Sequence, residues 1–137
     1  MIVPHFTVAF GCILVAALLP ILCAAIAKYG MVGKSRQAGG YDNHNPRAWL
    51  ATQGDWRARA NAAQANSFEA LPFFIGAVII AHQLGAAQGA LDILAFVFIF
   101  LRLMYIMMYL ADAALARSGV WTLAFLVNIA ILFLGFR

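Results

Sequence analysis

The residues of this chain able to do chemistry stand in two clusters. In AAQANSFEALPFF, positions 62–74, Gln64, Asn66 and Glu69 interrupt an apolar surround, and a second set follows at Arg102, Tyr105, Tyr109, Asp112 and Arg117. On a helix advancing 100° per residue, Arg59, Asn66 and Glu69 fall within about 80° of one another, while Asn61 and Gln64 point elsewhere. Arg102, Tyr105, Tyr109 and Asp112 form a second stripe of the same width. A charged side chain near a bilayer centre costs about 2.5–3.5 kcal/mol on insertion scales, so Glu69 requires a partner. Arg102 and Tyr105 are the expected ones, in an arrangement that would set the register of two helices. Tyr109 and Arg117 suit another task. A permanent cation beside a phenol holds a thiolate or oxyanion, and a nearby cation lowers a thiol's pKa from about 8.5. The alternative is that Arg117 snorkels to headgroups and Tyr109 joins an aromatic belt.

Other chemistries lack their signatures. His5, His44 and His82 stand in three separate regions with no Cys or carboxylate at ligand spacing, so no metal site is expected. There is no phosphate-binding glycine loop, no dinucleotide fingerprint and no Ser nucleophile elbow. Cys12 and Cys23 lie eleven residues apart in one apolar run, on one helix face, and cannot bridge within a straight helix. They are expected as buried thiols.

The elements that must position these residues follow from composition. Of 137 residues, 65% are hydrophobic and 10% charged, with a mean hydropathy of +0.89, which marks an integral membrane protein. The apolar runs are continuous rather than alternating, so the spans are helices and not strands of a barrel. Four spans are predicted, about 6–28, 57–83, 87–116 and 120–136, in a single all-α domain covering 1–137. The first lacks a basic region before it and exceeds a signal-peptide core, so it is read as a retained span. Pro72 is expected to bend the second span just beyond Glu69. Between the first and second spans, roughly 29–56, lies a loop with a short interfacial helix near Trp49 and Leu50. Lys28, Lys34, Arg36, Arg47, Arg57 and Arg59 cluster in or beside this loop, Arg117 flanks the third connection near Ser118, and the second connection has no basic residue. The positive-inside rule therefore puts the long loop in the cytoplasm and both termini outside. The net charge of +4 is accounted for by membrane lipids of an anionic inner leaflet, with no nucleic-acid partner required.

The pattern A-Q-x-N-x-x-E-x-x-P at 63–72, followed by R-x-x-Y-x-x-x-Y at 102–109, resembles the MAPEG family, the membrane-associated proteins in eicosanoid and glutathione metabolism. The resemblance covers almost the whole chain and suggests a bacterial-type member in an inner membrane. It implies a four-transmembrane-helix bundle assembled as a homotrimer, with glutathione as co-substrate in a cytoplasm-facing cleft between subunits. Carried over by position, Gln64, Asn66, Glu69, Arg102 and Tyr105 would bind glutathione, while Arg117 and Tyr109 would be catalytic, stabilising the thiolate. Arg117 would do so from the end of the third span. Two positions depart from the pattern: Ala62 stands where glutathione-using members often have an arginine, and Ala70 where a tyrosine often follows the glutamate. Arg59, one turn earlier on nearly the same face, is the candidate replacement cation. The implied activity is a glutathione transferase or peroxidase acting on a lipophilic small molecule. A non-catalytic lipid-binding or partner-binding trimer, or an accessory subunit of a larger membrane complex, stays open beside it.

Overall fold

The computed structural model describes residues 5–136, and the domain read from sequence as 1–137 extends past them at both ends. Four long helices carry the fold: α1 (Val8–Lys28), α3 (Asp55–Gln83), α4 (Gln88–Leu110) and α5 (Ala114–Phe133), with the short α2 (Pro46–Ala51) in the first connection. Each of the four is long and apolar enough to cross a membrane, and no strand occurs among the described residues. The chain is therefore an all-α bundle of transmembrane type.

Both ends of α1 are tied down by side chains. Thr7 caps its start, the Oγ1 accepting from the Phe10 amide at 3.2 Å, and Asp92 Oδ1 of α4 accepts from the Ala9 amide at 2.8 Å. A negative charge at a helix N-terminus also meets the positive end of the helix dipole. At the other end, Arg57 Nη1 donates to the carbonyls of Ala27 (2.9 Å) and Tyr29 (2.8 Å), groups that the helix leaves without partners. The loop that follows folds back through a short 3-10 turn, Arg36–Ala38, and past Gly40, where any Cβ would collide with the Lys34 carbonyl. Pro46 opens α2 in the first turn, where its missing N–H costs nothing.

Helix α3 runs without interruption through Pro72 for 29 residues, about 43 Å at 1.5 Å per residue, longer than a hydrocarbon core. Gly85, at φ 72, makes the tight turn into α4. The packing surfaces are rich in small residues, Ala9, Cys12 and Ala16 on α1, Ala77 and Ala81 on α3, Ala95 on α4 and Ala124 on α5, which let the backbones approach. Phe74 and Phe98 stack at 4.2 Å in the middle of that core. Both cysteines are free and buried. Gly135 closes the far end, since a Cβ there would come within 2.6 Å of the Leu84 Cβ.

One boundary differs from the sequence reading in a way that matters. The third span does not continue to 116. Asp112 takes a left-handed conformation, φ 58, and the Ala113 amide reaches back to the Met108 carbonyl at 3.0 Å, a wrapped helix ending of the Schellman kind. The fourth span accordingly begins at Ala114 rather than 120 and ends at Phe133 rather than 136. Aspartate tolerates left-handed backbone better than most residues, so Asp112, read as the last member of a helical stripe, instead terminates the helix.

Candidate functional site

At the end of the bundle that carries the first loop, α3, α4 and α5 present polar groups to one another. Arg102 of α4 is only 2% exposed, and its Nη2 donates to Asn66 Oδ1 of α3 at 2.9 Å. Asn66 Nδ2 in turn donates to Glu69 Oε2 at 3.2 Å. The Arg102 guanidinium lies 4.4 Å over the Tyr105 ring, Tyr105 meets Tyr109 edge-on at 5.6 Å, and the Arg117 guanidinium lies 4.3 Å over the Tyr109 ring. A continuous chain of contacts thus runs from Glu69 to Arg117. A cleft lined by Asn66, Tyr105, Tyr109, Arg117 and Trp121 opens along it, with a volume of about 260 Å³.

Two sequence expectations change here. Glu69 does not pair directly with Arg102: Asn66 stands between them, accepting from the cation and donating to the carboxylate. A short amide offers both roles at once. It leaves Glu69 at the exposed edge, where its desolvation cost is smaller than in a buried ion pair. Arg117 does not close the third span. It sits in the first turn of α5, with its amide bonded to the Ala113 carbonyl at 2.9 Å. The reversal at Asp112 is what brings it onto Tyr109, so the pair meets across a turn rather than along one helix.

Asn66, Glu69, Arg102, Tyr105, Tyr109 and Arg117 are thus brought together. Arg59 is employed beside them: its Nε donates to the Leu110 carbonyl at 3.2 Å and its Nη1 lies 3.9 Å from Asp112 Oδ2. It closes the C-terminal end of α4. Gln64 lies apart from the cleft, in a shallow groove on another face of α3, lined also by Arg47, Leu50, Asn61, Ala62 and Phe68.

Sequence reasoning did not single out the contribution of α5. Trp121, one turn beyond Arg117, walls the cleft, and Asn128 lies deeper, buried at 2% exposure in an apolar helix. A lone amide in an apolar span meets the criterion that drew attention to Glu69. Asp92 and Gln88 form another polar group at the opposite end, outside the two motifs. Gln88 Nε2 donates to Asp92 Oδ1 at 2.8 Å, and Gln88 Oε1 lies 3.1 Å from His82 Nδ1. That network holds the start of α1.

Against known proteins, the family model described as "MAPEG family" matches residues 8–137, nearly the whole chain. No curated protein and no solved structure matches.

Proposed function

Because the chain belongs to the MAPEG family, we propose that this membrane protein is a glutathione-dependent transferase or peroxidase acting on lipophilic electrophiles. The observation that carries the reading is the Arg117 guanidinium held against the Tyr109 ring at the mouth of the α3–α4–α5 cleft. A thiol seated there gives up its proton more readily, because the cation stabilises the thiolate, and the Tyr109 hydroxyl supplies a hydrogen bond to the sulfur. In transfer, the sulfur lone pair forms the C–S bond while the leaving group departs with the pair from the broken bond. In peroxide reduction, the thiolate attacks one oxygen, the O–O bond breaks and the alcohol leaves protonated; a second glutathione then displaces water to give the disulfide. Holding both reactants at one membrane boundary supplies the proximity.

The two polar faces of α3 favour assembly. One glutathione reaches both the Asn66 face and the Gln64 face only if a second copy brings its Gln64 groove to the first copy's cleft. A homotrimer closes such contacts into a ring. In that arrangement Arg47, which lines the Gln64 groove, supplies a cation for a glutathione carboxylate where Ala62 cannot. The basic first loop and the α4–α5 turn share one end of the bundle, and we place that end in the cytoplasm, with both termini outside and the protein in a bacterial inner membrane. Calorimetric titration of the detergent-purified protein with millimolar glutathione tests the reading: saturable heat is expected. Its absence would leave a non-catalytic lipid-binding trimer, which one observation favours, namely that Arg59 is already engaged at the end of α4.

A further inference from the structure

Tyr109 and Arg117 meet only because the chain reverses between them. On one continuous helix, positions 109 and 117 would stand about 12 Å apart along the axis. The Arg117 guanidinium instead lies 4.3 Å over the Tyr109 ring, across the short passage from the end of α4 at Leu110 to the start of α5 at Ala114. Whatever holds that passage therefore holds the pair.

The carbonyls at the end of α4 show what does so, since the last four of any helix need partners from outside it. The turn itself supplies three: the Ala111 amide bonds the Met107 carbonyl at 2.9 Å, the Ala113 amide that of Met108 at 3.0 Å and the Asp112 amide that of Tyr109 at 3.1 Å. The fourth carbonyl is that of Leu110. In an unbroken helix it would accept from the Ala114 amide, but with Asp112 at φ 58 that amide bonds the Asp112 carbonyl at 3.1 Å. Arg59 takes the vacant place from α3, its Nε donating to the Leu110 carbonyl at 3.2 Å. A bond from a charged donor is stronger than one between neutral groups. The second contact adds little, because Asp112 Oδ2 is 3.9 Å from Nη1 on a side chain 71% exposed, where water screens the pair.

We propose that Arg59 is a positioning residue: by donating to the Leu110 carbonyl it holds the left-handed turn at Asp112, and so keeps the Arg117 guanidinium over the Tyr109 ring. It acts from outside the cleft, whose lining does not include it. The sequence pattern offered Arg59 as a cation for glutathione; its bond to α4 gives it a different task. The effect on a thiol rests on the transferase or peroxidase reading, whereas the hold on the turn does not.

The test places 3-fluorotyrosine at position 109 of the detergent-purified protein and reads its fluorine resonance without glutathione. Arg117→Ala gives the resonance of a ring with no cation above it. Arg59→Met keeps the stem but puts a methyl where Nε stands, and should carry the resonance at least about half of the way to the Arg117→Ala position. Arg59→Gln puts an amide nitrogen in the place of Nε without the charge, and should stay near native. Adding Arg59→Met to Arg117→Ala should move the resonance no further, since both act through one contact. In conjugation at saturating glutathione, Arg59→Met should raise the pH midpoint in the direction of Arg117→Ala, slowing the rate about threefold at pH 7 for half of that shift; Arg59→Gln should not. An unmoved resonance in Arg59→Met, or one moved as far in Arg59→Gln, would overturn the assignment. So would a rise in the KM for glutathione that is equal in both variants with the midpoint unmoved, as expected of a cation that binds glutathione itself. Should Arg59→Met fail to fold, Asp112→Val, a β-branched residue at a left-handed position, should move the resonance in the same way, and a native resonance there would overturn the hold assigned to the turn. Resonance shifts without any conjugation would preserve the clamp and remove the thiol reaction; conjugation with an unmoved resonance in Arg59→Met would do the opposite.

Discussion

The role of Arg117 can be tested through the pH dependence of the reaction. A free thiol with a pKa of about 8.5 is roughly 3% thiolate at pH 7. The Arg117 guanidinium is half-buried and positioned over the Tyr109 ring. Opposite charges about 4 Å apart attract by about 4 kcal/mol at an effective dielectric constant near 20. Because the cleft is open to solvent, roughly 1.4–2.8 kcal/mol of that should survive, which lowers the thiol pKa by about 1–2 units. The thiolate fraction at pH 7 then rises to about 25–75%. Arg117→Ala should therefore react about 8- to 25-fold more slowly at pH 7 with saturating glutathione, and the deficit should shrink to within about twofold by pH 9.5, where the free thiol is ionised anyway. Arg117→Lys keeps the charge and should fall between. The assay is the initial rate of conjugation of a chromogenic aryl halide from pH 6 to 9.5, with ultraviolet absorbance of bound thiolate as the direct readout. A native and an Arg117→Ala profile with the same midpoint would refute the assignment, whatever the difference in rate.

Three further outcomes follow from the contacts that hold the bundle. Asp92→Ala removes the acceptor for the Ala9 amide and Gln88 Nε2, and should cost about 2–4 kcal/mol in sodium dodecyl sulfate unfolding from mixed micelles, with Asp92→Asn losing about half as much; a change under about 0.5 kcal/mol in Asp92→Ala would refute this. Asn66→Leu strands the buried Arg102 and should cost about 3–5 kcal/mol. Adding Arg102→Met should restore most of that, and a double variant no more stable than Asn66→Leu would show that the two do not act as a pair. In the first loop, the His44 amide and then the Arg36 guanidinium hold the Asp42 carboxyl below its usual range. A carboxyl lowered by folding contributes order above its unfolded pKa of about 3.9 and loses it as pH falls through the lower folded value. Hydrogen exchange at the His44 amide should accordingly quicken on acidification below about pH 4 relative to a loop amide remote from Asp42. In Asp42→Asn that pH dependence should vanish; its persistence would exclude Asp42 as the cause.

Composition and periodicity determined much of this protein by themselves. Four long apolar runs in 137 residues admit only a helical transmembrane bundle, since in a bilayer the backbone must satisfy itself. The 100° periodicity placed Asn66 and Glu69 on one stripe of α3 and Arg102, Tyr105 and Tyr109 on one stripe of α4, because positions along a helix depend on local geometry alone. The motifs at 63–72 and 102–109 sufficed to point to the family. What only the tertiary structure decided depends on reversals and on partners far along the chain. Arg117 reached Tyr109 because Asp112 turned left-handed, a choice that the apolar run through 116 concealed. Asn66 came between Glu69 and Arg102, and Arg59 was engaged by a carbonyl 51 residues away. The carboxylate that holds α1 in place, Asp92, is 83 residues from the amide it accepts from. Periodicity assigns a side chain to a face, but which group meets it there is settled by the packing of helices against one another, and an acceptor without a partner among the described residues, such as Asn128 Oδ1, becomes visible only once the groups around it have been placed.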